Sequence, residues 1–358
     1  MDSDLPPRPE PGTATGATDD PGNGTRSDTL SDALSDSGDD TDSTSGTDSG
    51  HGATGGSVTE AVRPEWSGID RMTTLDLLRL MNDEDRTVAE AVATQLEPIA
   101  AAADAIAARM ARGGRLVYVG SGTAGRLGVL DASECPPTFN TAPGQVVGLI
   151  AGGGAALFRA VEGAEDRPDL AVADLEALAP TAADCVVGIS ASGRTPYTVA
   201  AIRQARAAGA LTVGVACNRG SALVSAAALG IEVVTGPEVL AGSTRLKAGT
   251  AQKLVLNLLS TAVMVRLGKT YGNLMVDVRA GNAKLRDRAH RIVATATGAD
   301  EETVRSALAA TGGEAKDAVL VVLAGVDAPT ARRLLAASGG RLREALASAR
   351  AVDRRAVD

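Results

Sequence analysis

Residues Leu116 to Pro137 read LVYVGSGTAGRLGVLDASECPP, and they begin with an apolar run that is rich in β-branched and aromatic side chains. Such a run predicts a buried strand over Leu116–Val119. A turn of glycines and hydroxyls, residues 120–125, follows the strand, and a helical pattern comes after it. Glycines let the backbone approach a ligand closely, and hydroxyls and free amides at the start of a helix suit an anion. We name residues 120–125 the first hydroxyl-rich turn and expect it to bind phosphate.

Apolar runs and helical patterns alternate through the middle of the chain. The five predicted strands are Leu116–Val119, Val146–Ala151, Cys185–Ser190, Leu211–Ala216 and Ile231–Val234. Alternation of this kind predicts an α/β fold, with a five-stranded parallel sheet flanked by helices. Ligands bind such sheets at the carboxyl ends of the strands, so the turns that follow the strands are expected to crowd one rim.

A second hydroxyl-rich turn, residues 190–195 with the sequence SASGRT, follows the third predicted strand. Either turn alone would be an ordinary strand–helix connection with an N-cap, but two of them on one parallel sheet favour a phosphate site. An ATP-binding P-loop is excluded because no Gly-Lys-Ser/Thr ending is present, and a dinucleotide fold would leave the second turn unexplained. The candidate phosphate-binding residues are Ser121, Thr123, Ser190, Ser192 and Thr195.

The two ends of the chain differ from its middle in composition. Residues 1–65 are rich in Asp, Ser, Thr, Gly and Pro. They predict a disordered acidic tail, since they cannot bury enough apolar area to offset their chain entropy, and we expect the tail to be dispensable for activity. Residues 66–297 are predicted to form the sheet domain, and residues 298–358 a small bundle of Ala-rich helices that carries no chemical motif.

Composition argues against several classes of function. The net charge of −9 argues against a nucleic-acid-binding surface, and no uninterrupted apolar run is long enough to span a membrane. The N-terminus lacks a basic start followed by an apolar stretch, and three isolated cysteines are too few for a disulfide framework. The two histidines, His51 and His290, lie far apart, which argues against a histidine metal site. We expect a cytoplasmic protein without a metal or other cofactor.

Two glutamates are the candidate catalytic residues. Glu134 lies in DASECPP, directly after the helix that leaves the first turn, and Glu165 lies in VEGAED. Either could be an ordinary solvated carboxylate. Next to a bound sugar phosphate, however, two separate carboxylates suit general acid–base chemistry in which one gives and the other takes a proton.

Long motifs in the chain resemble those of a known family. They lie between Ile69 and Asn282 and include GSGTAGRLGVLDASECPPTF, GLIAGGGAALFRAVEGAED, VVGISASGRTPY, ACNRGSA, STRLKAGTAQKLVLN and GNLMVDV. The two hydroxyl-rich turns resemble the SIS (sugar isomerase) fold, and the longer motifs are similar to those of the N-acetylmuramic acid 6-phosphate etherases. The segment from Thr59-Glu60 to Pro64 matches that family only loosely, and the acidic tail is not part of its pattern.

The resemblance implies an enzyme that cleaves the lactyl ether of N-acetylmuramic acid 6-phosphate, giving N-acetylglucosamine 6-phosphate and D-lactate. It also implies that Glu134 is the acid, that Glu165 is its partner, that no metal takes part, and that the protein is a homodimer whose sites draw on both subunits. Two alternatives stay open: an aldose–ketose isomerase on the same fold, and a sugar-phosphate-sensing regulatory protein. The presence of both glutamates favours the etherase.

Overall fold

A five-stranded sheet forms the centre of the computed structural model, which describes residues 57–277 and 283–357. Its strands are β1 (Leu116–Gly120), β2 (Val146–Ile150), β3 (Cys185–Ser190), β4 (Leu211–Ala216) and β5 (Leu229–Glu232). All neighbouring strands are parallel, in the order β2-β1-β3-β4-β5. The predicted α/β class with a parallel sheet is therefore confirmed.

The fifth strand differs from its prediction. It begins at Leu229 and ends at Glu232, whereas the apolar run predicted Ile231–Val234. The last pair of the ladder joins Glu232 to Ala216, which is the final residue of β4. The strand therefore ends where its partner ends, although the apolar run continues.

Helices cover both faces of the sheet. They are α1 (Thr74–Ala93), α2 (Leu96–Met110), α3 (Gly122–Phe139), α4 (Pro168–Leu178), α5 (Pro196–Ala207), α6 (Ala222–Ala226) and α7 (Lys247–Arg266). Successive side chains of a strand point to opposite faces. Tyr118 of β1 accordingly packs into a core with α1, α2, α3 and α7, whereas Val117 packs into a core with α4, α5 and α6.

Helix α7 runs through the first of these cores. Among residues 57–277 and 283–357, it is the one helix whose length and composition would fit a membrane span. Val255, Leu259 and Val263 are completely buried and belong to the core that packs against the sheet. The apolar composition of α7 is thus accounted for by its place inside the protein.

Five helices form the last part of the described chain. They are α8 (Ala283–Thr297), α9 (Glu301–Ala310), α10 (Ala315–Ala324), α11 (Ala328–Ala337) and α12 (Leu342–Val357). The predicted C-terminal helices are therefore present. Val276 and Val293 share a core with Val319 and Leu335, so residues on both sides of the predicted boundary at residue 298 pack together. The division of the chain into three domains stays a prediction.

The predicted tail falls into two parts. Residues 1–56 lie outside the described residues. Residues 57–65, in contrast, contribute to two one-turn helices, Val58–Glu60 and Pro64–Trp66, and Thr59 and Trp66 are buried. Hydrogen bonds to Asn218 and the buried indole of Trp66 therefore hold residues 57–65, a segment whose polar composition predicts disorder.

The connection from β1 to α3 depends on a glycine. A Cβ atom on Gly125 would lie 2.7 Å from the carbonyl oxygen of Gly120 and 2.6 Å from Cγ1 of Ile150. We expect Gly125→Ala to lower the free energy of unfolding by about 1–3 kcal/mol, the usual cost of overpacking. Urea denaturation measures this loss, with Gly154→Ala as the control because no heavy atom lies within 4 Å of a Cβ there. Equal stability of the two variants would contradict the close approach.

Candidate active site

A cavity of about 390 Å³ is lined by the two hydroxyl-rich turns, which follow β1 and β3. The two strands are neighbours, and the chain continues from β1 to β2 on one side and from β3 to β4 on the other. Ligands bind α/β sheets at such a reversal of strand order, because the turns that follow the two strands diverge and leave a crevice. The position of the cavity thus follows from the topology of the sheet.

The first hydroxyl-rich turn opens helix α3. Ser121 is the N-cap residue, but its side chain does not bond to the amides of the helix. Its Oγ instead donates a hydrogen bond to Oε2 of Glu165, at 3.2 Å. Backbone amides in the first turn of a helix have no partner inside the helix, so those of Gly122 and Thr123 are suited to an anionic ligand at the positive end of the helix dipole.

The second hydroxyl-rich turn gathers three hydroxyls at one point. Oγ of Ser190 lies 2.8 Å from Oγ1 of Thr195 and 3.4 Å from Oγ of Ser192, and it accepts a hydrogen bond from the amide of Gly193 at 3.0 Å. Gly193 has a φ of +66°, and a Cβ there would lie 2.3 Å from Oγ of Ser221. Only glycine therefore fits at this position, and the turn keeps its shape because of it.

All five predicted phosphate-binding residues line this one cavity. Their role in binding phosphate stays a prediction. Among the described residues that line the cavity, Arg194 is the one cation, and three carboxylates accompany it: Glu60, Glu165 and Asp166. An anion in the cavity would therefore be held mainly by neutral hydroxyls and backbone amides.

Sequence reasoning missed two of these charged residues. Glu60 falls within the predicted tail, and its signal was the pair Thr59-Glu60, which matches the family motif only loosely. Arg194 lies inside the second hydroxyl-rich turn, between the hydroxyls that the prediction selected. Both residues line the cavity.

The two candidate catalytic glutamates lie in different places. Glu165 lines the cavity, whereas Glu134 does not. Glu134 is exposed on α3, and the rise of an α-helix puts it roughly 18 Å along the axis from Gly122. A single chain therefore brings Glu165, but not Glu134, to the predicted phosphate site.

The local structure at Glu134 also differs from its prediction. The sequence placed Glu134 after the helix, but α3 continues through Pro136 and Pro137 to Phe139. The prolines occupy the last turn, and the helix continues through them although neither can donate a backbone hydrogen bond. Asn140 then ends the helix in the left-handed conformation, with φ +50°. Glu134 is consequently held on a regular helix rather than on a loop.

A buried carboxylate fixes α3 one turn before Glu134. Asp131 accepts hydrogen bonds from the hydroxyl of Tyr118 at 2.8 Å, from Oγ of Ser260 at 3.1 Å and from Nδ2 of Asn257 at 3.1 Å. Burial raises the pKa of Asp131, although these three hydrogen bonds oppose the shift. The network joins β1, α3 and α7, so the helix that carries Glu134 is rigidly placed.

The three cysteines are buried thiols. Cys135, Cys185 and Cys217 are unpaired, and burial raises the pKa of each to about 12. They therefore stay protonated and unreactive at neutral pH. Within residues 57–277 and 283–357, no three His, Cys, Asp or Glu side chains lie close enough together to hold a metal ion.

Known proteins are similar to this chain over most of its length. The sequence model of the family described as glucokinase regulatory protein N-terminal SIS domain matches residues 98–206, and the sequence model of the SIS domain family matches residues 171–262. An N-acetylmuramic acid 6-phosphate etherase from Streptomyces coelicolor is 71% identical over 266 residues, which cover 74% of this chain and 86% of that protein. The etherase from Pectobacterium atrosepticum is 55% identical over 75% of this chain and 88% of its own. A solved phosphoheptose isomerase from Francisella tularensis is 18% identical, with a TM-score of 0.41 over 54% of this chain and 100% of that one.

The hydroxyls of the two turns can be tested by binding. We expect Ser192→Ala and Thr123→Val each to weaken the binding of a hexose 6-phosphate about ten- to hundredfold, because each change removes a donor to a charged oxygen. Isothermal titration calorimetry measures the affinity. Ser133→Ala is the control, since that hydroxyl bonds to the carbonyl oxygen of Leu130 on α3 and does not line the cavity. Unchanged affinity in both cavity variants would remove the phosphate assignment.

Proposed function

The chain belongs to the N-acetylmuramic acid 6-phosphate etherase family, and from that membership we propose how its site performs the reaction. The enzyme is a carbon–oxygen lyase. It cleaves the D-lactyl ether of N-acetylmuramic acid 6-phosphate and releases N-acetylglucosamine 6-phosphate and D-lactate. Membership decides against the isomerase and the regulatory protein. The observation that supports the mechanism best is the hydroxyl-lined cavity in which Glu165 accepts a hydrogen bond from Ser121.

We assign the phosphate of the sugar to the two hydroxyl-rich turns. Ser190, Ser192 and Thr195 supply three hydroxyls on one wall, and those of Ser192 and Thr195 lie within 3.4 Å of Oγ of Ser190. Ser121, Thr123 and the first amides of α3 supply donors on the other wall. Together they would fix one end of the open-chain sugar, so that its C2 and C3 atoms reach the carboxylates of the cavity.

The chemistry at C2 and C3 requires two proton transfers. An ether is a poor leaving group, but the aldehyde of the open-chain sugar acidifies the neighbouring proton at C2. A base, Glu165, removes that proton while an acid, Glu134, protonates the lactyl oxygen that leaves C3. Water then adds to the unsaturated aldehyde at C3: Glu134 takes a proton from the water, and Glu165 returns a proton to C2. This sequence of proton transfers is complete without a cofactor.

Glu134 acts, in this proposal, at the site of a second subunit. It lies too far from the cavity of its own chain, and its helix is rigidly placed. Leu130, one turn earlier on the same face of α3, is 52% exposed. Leu75 and Leu78 on α1 are exposed as well. We propose a homodimer that covers these side chains, since a protein partner would remove their apolar surface from water.

We also propose that the enzyme works in the cytoplasm. Its three cysteines are unpaired and buried. Proteins that keep their thiols reduced are typical of that compartment, whereas disulfides are typical of secreted proteins. The location can be tested by fractionating cells of the source organism and measuring the ether cleavage in each fraction.

Isotope labelling tests the elimination mechanism. In oxygen-18 water, we expect the label to enter the sugar at C3 and to be absent from lactate, because elimination breaks the bond between C3 and oxygen. The isotope shift of the C3 signal in a carbon-13 NMR spectrum locates the label, which separates it from ordinary exchange at the aldehyde carbon. Label in lactate without label at C3 would mean direct hydrolysis and would sink the mechanism.

Mixing two inactive variants tests the shared site. Glu134→Gln and Glu165→Gln should each lose activity about 10²–10⁴-fold, the usual contribution of a general acid or base. Co-expressed in equal amounts, they should recover about a quarter of wild-type activity, because half of the dimers are mixed and each mixed dimer restores one of its two sites. If the mixture is no more active than the separate variants, the two glutamates do not meet across a dimer interface.

A further inference from the structure

The turn Val58–Glu60 is fastened to the rim of the active-site cavity by one buried side chain. Oδ1 of Asn218 accepts hydrogen bonds from the amide of Val58 at 2.7 Å and from Oγ of Ser57 at 3.2 Å. Its Nδ2 donates to Oγ1 of Thr59 at 3.1 Å and to the carbonyl oxygen of Ala191 at 3.0 Å. Ala191 belongs to the second hydroxyl-rich turn, so Asn218 joins the N-terminal turn directly to the predicted phosphate site.

The same segment is held a second time, at Trp66. The indole ring lies 4.6 Å from the guanidinium carbon of Arg63 and 5.7 Å from Nζ of Lys247. Lys247 is buried and forms an ion pair of 2.6 Å with Glu84 of α1. Residues between these two anchors cannot move freely, because both ends are fixed to the sheet domain.

Glu60 lies between the two anchors and lines the cavity. Its carboxylate makes no ion pair or hydrogen bond with a residue that the structure describes. Gly242 faces it so closely that a Cβ atom there would lie 3.1 Å from Oε2 of Glu60. Gly242 has a φ of +75°, a conformation that other residues rarely adopt. The chain thus leaves room for this carboxylate at the wall of the cavity.

A carboxylate at this position can recognise only part of the substrate. It accepts hydrogen bonds and donates none when ionised, and it repels the phosphate and the lactyl carboxylate. The hydroxyls and the acetamido N–H of the sugar are the neutral donors that suit it. We propose that Glu60 is a substrate-binding residue that accepts a hydrogen bond from such a donor, and that Asn218 is the residue that positions it. This inference rests on the proposed function and extends it to the sugar itself.

Binding by two matched variants tests the role of Glu60. Glu60→Gln and Glu65→Gln remove the same charge from the same segment, but Glu65 does not line the cavity and faces Arg63 at 3.7 Å. We expect Glu60→Gln to weaken the binding of N-acetylglucosamine 6-phosphate about tenfold, because a charge-assisted hydrogen bond becomes a neutral one. Glu65→Gln should leave it unchanged. Calorimetry measures both, and equal or tighter binding by Glu60→Gln would overturn the proposal.

Two further ligands show which part of the sugar phosphate Glu60 contacts. Inorganic phosphate should bind Glu60→Gln as tightly as the wild type or more tightly, because a repelling charge is gone. A tenfold loss of affinity for inorganic phosphate as well would show damage to the hydroxyl-rich turns and would overturn the role of Glu60 in binding the sugar. Glucose 6-phosphate lacks the acetamido group: a tenfold loss with this ligand as well identifies a sugar hydroxyl as the donor, and a loss confined to N-acetylglucosamine 6-phosphate identifies the acetamido N–H.

A double-variant cycle tests the positioning role of Asn218. Asn218→Ala should weaken N-acetylglucosamine 6-phosphate binding about as much as Glu60→Gln, and the double variant should lose no more than either single variant, because the two changes remove one interaction. Additive losses would overturn the role of Asn218.

Lactate release from N-acetylmuramic acid 6-phosphate by the wild type is measured beside these titrations. No release would sink the etherase assignment. An active wild type whose Glu60→Gln variant binds the sugar phosphate equally well would sink only the role of Glu60.

Discussion

The parallel pairing of β1 with β3 is the contact on which the active site depends. Gly120, the last residue of β1, pairs with Ile189. Ser121, which follows β1, and Ser190, the last residue of β3, therefore come next to this pair at the carboxyl edge of the sheet. A shift of this register by one residue would turn every side chain of the strand to the other face and separate the two hydroxyl-rich turns. Close packing of Gly125 on Gly120 then lets α3 begin directly at this edge. Both walls of the cavity are therefore consequences of one strand pair.

Local patterns in the sequence were enough to predict the parts of the structure that local chemistry determines. The strands β1 and β3 and the turns after them follow from short apolar runs, glycines and hydroxyls. The end of β5 could not be predicted in this way, because it depends on where β4 ends. Glu60 was missed because its segment is polar, and polar composition gives no sign of the contacts that Asn218 makes from a distant part of the chain.

The proposed phosphate anchor is built mainly from neutral groups, and the charges around it limit how tightly an anion can bind there. The substrate carries a phosphate and a carboxylate, and three carboxylates line the cavity beside a single arginine, Arg194, among the described residues. Like charges a few ångströms apart repel by about 4 kcal/mol at an effective dielectric constant of about 20. In the proposed complex, hydroxyls and helix amides would offset part of that repulsion through directed hydrogen bonds. They would also fix where the phosphate lies, so that the carboxylates meet the sugar rather than its charged ends.

Helix α3 has a place in both halves of the proposed reaction. Its first turn contributes to the proposed phosphate site of its own chain, and Glu134 lies roughly 18 Å further along the same rigid axis. A glutamate side chain cannot reach back over that distance, and the network at Asp131 prevents the helix from swinging. In the proposed dimer, the length of α3 therefore sets the spacing between the two active sites. This protein would then be active only as a dimer. In each subunit, the start of α3 would hold the phosphate, and the far end of the same helix would supply the acid, Glu134, to the active site of the other subunit.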